Sequence, residues 1–193
     1  MRSNVYSWGP PIWKTNLKEI IVDELLTRGN QVRHNEKLNA EHDLAMNTHD
    51  EWQYTSEDMQ WFSEHIEDKI KDYMNIWSEH LDRPVQTFKF KIESLWINYM
   101  KKNDFNPLHE HSGNISFVLY LNDVEELKTE RLRYKQKDTG PVPGTIMFAH
   151  DGDRKFFFPK KGDLLIFPAN LMHMVVPFRS DIERISVSGN ILL

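Results

Sequence analysis

The chain has 193 residues, of which 39% are hydrophobic and 27% charged, a balance that suits one compact domain and excludes disorder as the dominant state. It contains no cysteine, so disulfide frameworks, thiolate metal sites and cysteine nucleophiles are excluded, and any metal must be held by His, Asp or Glu. The formal net charge of −5 does not favour non-specific binding to nucleic acid.

Residues 16–28 (NLKEIIVDELLTR) space their apolar side chains as a helix, which Gly29 should end. Residues 30–55 are polar, carry His34, His42 and His49, and read as a long solvated loop. Residues 56–82 predict a second helix with Ser56 as its cap. Its stripe of Met59, Phe62, Ile66, Ile70, Tyr73 and Trp77 suits core packing or a homodimer face. His65 and His80 fall on its surface, and Pro84 closes this half. Beyond it the pattern turns to strands, predicted at 87–101, 107–111, 115–122, 129–137, 144–150, 155–158, 163–168, 172–177 and 183–192. The expectation is a single α+β domain over 1–193. Residues 1–84 form a mainly helical support, and 85–193 form a β-sandwich or barrel with the helices packed outside. No apolar run reaches the roughly 20 residues of a membrane helix, and the first residues lack the apolar centre of a secretory leader. A soluble, cytoplasmic protein is therefore expected.

Three segments could carry chemistry. In NPLHEHSGN, His109 and His111 are two residues apart, so on a strand both imidazoles reach one point while Glu110 turns away. Neutral imidazole is the usual nitrogen ligand of iron, zinc or copper. His173 follows the apolar strand Leu164–Phe167 and Pro168, at a place where it can face a cavity mouth. In ERISVSGNI, alternation puts Arg184, Ser186, Ser188 and Asn190 on one face; if that face is interior, Arg184 needs an anionic partner. The fork of a guanidinium suits a carboxylate.

The order His-x-His, about 60 residues, His, eleven residues, Arg-x-Ser resembles the double-stranded β-helix oxygenases that use Fe(II) and 2-oxoglutarate. A closer likeness is to a group of small oxygenases of bacteria and their viruses. It is carried by Trp96 and Asn98; His109 and His111; Ser116 and Tyr120; Gly162, Leu164, Phe167 and Pro168; His173; and Arg184, Ser186, Ser188 and Asn190, with Trp8 to Trp13 also fitting. It covers residues 90–193 well and the helical half loosely. The resemblance implies a jelly-roll, cupin-like barrel and a hydroxylase that uses Fe(II), 2-oxoglutarate and O2 on a primary substrate these residues do not identify. It makes His109 the first metal ligand and His173 the distal one, and gives the remote carboxylate of 2-oxoglutarate to Arg184 and Ser186. Tyr120 and Asn98 become further contacts to that co-substrate. The chain departs from the family where a carboxylate ligand is usual and His111 stands. Either the three histidines hold the metal, one unit more positive than usual, or His109 and His173 do so with water or a nearby acid; Asp104 and Asp163 are acids in this half, though neither has the expected spacing.

Two further features bear on function. Alternation over 127–137 would line Arg131, Arg133, Lys135 and Lys137 along one side of a strand, a basic face that could select an acidic substrate. His150-Asp151 could face the substrate. Two other classes compete: a cupin-type metalloprotein without 2-oxoglutarate, which would not need Arg184, and a non-catalytic binding module on the same barrel.

Overall fold

The computed structural model describes residues 4–6, 9–40, 50–81, 89–135 and 142–193. In chain order these form β1 (Asn4–Tyr6), β2 (Ile12–Asn16), α1 (Glu19–Val32), a 3-10 turn (Glu36–Leu38), β3 (Glu51–Gln53), α2 (Ser56–Leu81), β4 (Lys91–Met100), β5 (Asn106–His109) and β6 (Ile115–Tyr120). There follow α3 (Glu125–Lys135), β7 (Ile146–His150), β8 (Asp153–Phe157), β9 (Asp163–Pro168), β10 (His173–Val175) and β11 (Arg184–Leu192). The strands make two antiparallel sheets, a large one in the order β1-β2-β9-β6-β11-β4-β3 and a small one in the order β5-β10-β7-β8. None of the described helices is long and apolar enough to cross a membrane.

The large sheet is covered on both faces, and a period of two sorts its side chains. Phe117 and Leu119 of β6, Leu164 and Ile166 of β9, and Leu95 and Ile97 of β4 pack with the helices. Val118 and Tyr120 of β6 and Leu165 and Phe167 of β9 turn the other way, against Ile146, Phe148 and Phe157 of the small sheet. Double coverage explains why β6 and β9 are buried along their whole length and read as continuous apolar runs. The predicted stripe of α2 is core: Phe62, Ile66, Ile70 and Tyr73 are all fully buried, and the Tyr73 hydroxyl donates to the Pro11 carbonyl.

Four sequence expectations are corrected. Helix α1 continues past Gly29 to Val32, because glycine there serves close packing. A Cβ at Gly29 would sit 2.3 Å from Ile97 Cδ1 and 2.9 Å from the Tyr54 hydroxyl oxygen. Gly29→Ala is therefore expected to destabilise by about 1–3 kcal/mol through overpacking, although alanine is the better helix former by about 1 kcal/mol. Urea denaturation measures this, and a variant as stable as the wild type would contradict it.

The loop expected over 30–55 contains β3, which pairs with β4, and β2 pairs with β9, so the amino-terminal half supplies strands as well as helices. At the start of β3, Asp50 accepts from Arg33, Lys101 and Trp52, and Arg33 also reaches Glu183, fastening the chain just before β11. The strand expected over 107–111 ends at His109, and His111 lies beyond it.

The strand expected over 129–137 is part of α3. Glu, Leu, Lys and Arg are strong helix formers, and residues three and four apart share a face, so Leu127, Glu130 and Arg131 turn inward together while Leu132 is exposed. Arg131 and Arg133 accordingly do not share a side: Arg131 is partly buried and Arg133 exposed. Trp8, His42, His49, Pro84 and Lys137 lie outside the described residues.

Candidate metal centre and anion cavity

The small sheet brings the histidines together. In the antiparallel register of β5 and β10, His173 stands opposite His109. His111 follows β5, where its backbone N–H donates to the carbonyl of Ala169, just after β9. Ring centroids are 4.3 Å apart for His109 and His173, 4.8 Å for His109 and His111, and 5.0 Å for His111 and His173. One ligand nitrogen from each lies within 4.8 Å of the others.

The other ring nitrogens of His109 and His173 are engaged. His109 Nδ1 donates to the Pro107 carbonyl at 2.7 Å and His173 Nδ1 to the Leu171 carbonyl at 2.9 Å. Such bonds fix the tautomer and aim the Nε2 lone pair, the arrangement typical of metal-bound histidine. Asn106 Nδ2 lies 3.3 Å from His109 Nε2. Burial pushes the His173 imidazole down to about 3, with His109 and His111 opposing a further charge. Burial, then the neighbouring His109, takes His111 down to about 4, and burial lowers His109 as well. At neutral pH all three imidazoles are neutral, the form that can bind a metal.

The acids raised as alternatives to His111 are engaged elsewhere. Asp163 pairs with Lys14 at 2.7 Å and accepts from Asn16, and Asp104 accepts from the backbone N–H of Lys101. Among the described residues, the group that could hold a metal contains these three histidines and no carboxylate.

The polar face of β11 is interior. Ser186 lies in register with Asn98 of β4 on one side and Tyr120 of β6 on the other, so the three form a row across adjacent strands. Arg184, one step along, is 2% exposed. All four line one cavity with His111, His173 and Trp96. The Arg184 guanidinium donates through Nη1 to the Gly144 carbonyl at 3.1 Å, and Cζ sits 5.5 Å from the Tyr120 ring centroid. Its Nε has no partner, nor have the Tyr120 hydroxyl, the Asn98 Oδ1 and the Trp96 Nε1, all buried. Among the described residues no carboxylate pairs with Arg184. Burial pulls its guanidinium below the ordinary arginine value and pushes the Tyr120 phenol up to about 12, so Tyr120 stays a donor. A buried cation without an anion is costly, and donors aimed at nothing fit an anionic ligand supplied from outside.

Sequence reasoning placed His109, His111, His173, Asn98, Tyr120, Arg184 and Ser186 in one site, and the fold brings them together. It did not anticipate Asn106, whose amide meets His109, nor the rings of Phe167 and Phe148, 4.9 and 5.9 Å from His173, which screen it from water. The continuous apolar run of β9 was the signal for Phe167. His150 is less central: its side chain is 38% exposed, lies 3.5 Å from Asp151 and packs over Gly9.

The family model described as "Putative 2OG-Fe(II) oxygenase" matches residues 94–190, half of the chain. No curated protein sequence matches. Among solved structures, a Pseudomonas putida prolyl-4-hydroxylase superposes with a TM-score of 0.62 at 16% identity, covering 92% of this chain and 90% of that one. The viral collagen prolyl hydroxylase of Paramecium Bursaria Chlorella virus-1, solved with 2-oxoglutarate, gives 0.60 at 16% identity, covering 93% and 94%. HygX from Streptomyces hygroscopicus, with nickel, 2-oxoglutarate and hygromycin B bound, gives 0.55 at 10% identity, covering 93% and 82%. These likenesses establish the fold as the double-stranded β-helix.

Proposed function

The chain belongs to the 2OG-Fe(II) oxygenase family, and from that premise we propose that His109, His111 and His173 hold its iron while Arg184, Tyr120, Ser186 and Asn98 hold its 2-oxoglutarate. The observation that carries the assignment is the shared cavity: a buried Arg184, with no acid partner among the described residues, lines the same space as His111 and His173, two of the three neutral imidazoles. A cupin-type metal site gives no reason for that arginine. Residues 1–193 act as one unit in this reading, the amino-terminal half supplying strands of the large sheet as well as the helices packed on it.

When bound, Fe(II) and 2-oxoglutarate supply the oxidising chemistry: with O2 the co-substrate loses CO2 to become succinate, and one oxygen atom enters a C–H bond of the primary substrate. The chain's own groups prepare for this. The Pro107 and Leu171 carbonyls hold two imidazoles in the tautomer that offers Nε2. Arg184 and the Tyr120 hydroxyl present donors to the remote carboxylate, where burial strengthens each charge-assisted bond. Phe148 and Phe167 wall the metal side against water. Three neutral histidines leave a divalent cation's charge undiminished, which favours an anionic co-substrate beside it.

Succinate is expected only when Fe(II), 2-oxoglutarate and O2 are all supplied to the purified protein. No succinate above the metal-free control, with both ligands bound, would contradict the reading. His111 is tested separately. His111→Asp is expected to bind Fe(II) at least as tightly as the wild type, and His111→Ala about tenfold or more weakly. Anaerobic titration calorimetry reads both, and an unchanged affinity in His111→Ala would remove His111 from the ligand set.

A further inference from the structure

Helix α3 turns Arg131 toward the same turn that Arg184 meets. Arg131 Nε donates to the Pro143 carbonyl at 3.3 Å, and Arg184 Nη1 donates to the next carbonyl, that of Gly144. The Arg131 guanidinium lies over the Phe158 ring, its Cζ 3.9 Å from the ring centroid. Its Nη2 is buried and, like Arg184 Nε and the Tyr120 hydroxyl, has no partner. The neighbouring acid is taken up elsewhere: Glu130 accepts from the backbone N–H groups of Arg179 and Ser180.

We propose that Arg131 is a second cationic anchor for the remote carboxylate of 2-oxoglutarate, acting beside Arg184; the inference rests on the assignment of Arg184 made above. Two guanidinium groups that meet adjacent carbonyls, with no acid between them among the described residues, repel each other, and the cost rises with burial. Burial, and then the field of Arg184, takes Arg131 down to about 10. A carboxylate, with two oxygens and about four lone-pair sites, answers that arrangement with charge and with acceptors for the three idle donors. Arg131 therefore sets the preference for a dicarboxylic over a monocarboxylic 2-oxo acid.

The test compares 2-oxoglutarate with pyruvate, which keeps the oxo-acid end and lacks the remote carboxylate. Both are titrated calorimetrically into the Mn(II)-loaded protein. Arg131→Met is expected to weaken 2-oxoglutarate binding about tenfold or more while leaving pyruvate within about twofold. Unchanged 2-oxoglutarate affinity, or an equal loss for both acids, would overturn the proposal. Should Arg131→Met not fold, Arg131→Gln keeps a donor for the Pro143 carbonyl and is read the same way. In the unmutated protein, 2-oxoglutarate should also protect Arg131 from phenylglyoxal, scored on its peptide by mass spectrometry; labelling at the same rate with and without it would count against Arg131. A wild type that prefers 2-oxoglutarate, with an Arg131→Met protein that does so equally, defeats this inference alone. A wild type with no such preference defeats the assignment of Arg184 as well.

Discussion

Replacing His173 by alanine is expected to abolish metal binding, with Fe(II) or Mn(II) affinity falling by at least about a hundredfold and succinate formation lost with it. Its imidazole is 4% exposed and stands opposite His109 across two strands of the small sheet. The Leu171 carbonyl holds its Nδ1–H, so its Nε2 faces the other two histidines without a change of rotamer. His111 follows the end of β5, where rotation costs less, and is the more replaceable of the three. The metal-free protein should also show the burial of His173 in its pH dependence. The folded state resists protonation down to about pH 3, whereas the unfolded chain takes up a proton at its ordinary value near 6.5. The unfolded state therefore binds the extra proton between those limits. Stability is complete above about 6.5 and falls as the pH drops, by up to about 1.4 kcal/mol per unit from this group. His173→Ala removes that contribution, so its stability should depend less steeply on pH than the wild type's. A folded His173→Ala protein that binds metal within about threefold of the wild type would defeat the assignment.

The second large effect is expected at Arg184, with opposite signs on binding and on stability. Methionine matches the length of the arginine stem without its charge. Arg184→Met should weaken 2-oxoglutarate binding by about a hundredfold or more, because the co-substrate's carboxylate loses its fully buried partner. Metal affinity should stay as in the wild type, since none of the three histidines touches the guanidinium through a hydrogen bond. The ligand-free variant should be as stable as the wild type or more so, because an unpaired buried charge has been removed; replacing buried ions by apolar groups is often neutral or stabilising by about 1–4 kcal/mol. A purely structural arginine would give the reverse, with stability lost and 2-oxoglutarate affinity kept. Thermal denaturation and calorimetry on the same preparation separate the two.

The parts of the site legible in the sequence are those whose chemistry follows local spacing. On β11 the alternation of Arg184, Ser186, Ser188 and Asn190 fixes a face whatever the rest of the chain does, and the strand keeps that alternation over the residues that line the cavity. The nearness of His109 and His111 was legible from their spacing of two, although the strand ends at His109 and a backbone bond to Ala169 holds His111. What was not legible depended on distant partners. The segment Ile12–Asn16 becomes a strand because β9, some 150 residues on, offers it an edge, and β3 forms on β4 in the same way. Gly29 carries the sequence mark of a helix stop, yet the reason for a glycine is Ile97 lying against it. In α3 the alternation of Arg131, Arg133 and Lys135 imitates a strand, while helix propensity and the burial of Leu127 decide the outcome. That choice bears on the site, because a strand would have spread those cations along one side, whereas the helix turns Arg131 inward and leaves Arg133 exposed.

The central claim is that one cavity holds the metal at His109, His111 and His173 and the co-substrate at Arg184. The most direct measurement is the visible spectrum of the anaerobic protein as Fe(II) and then 2-oxoglutarate are added, made on the wild type, His173→Ala and Arg184→Met. A metal-to-ligand charge-transfer band is predicted in the wild type only when both are present. It should be absent in His173→Ala, and in Arg184→Met it should appear only at far higher 2-oxoglutarate. A protein that binds Fe(II) but forms no such band, or a band of equal strength and midpoint in all three, would contradict the claim.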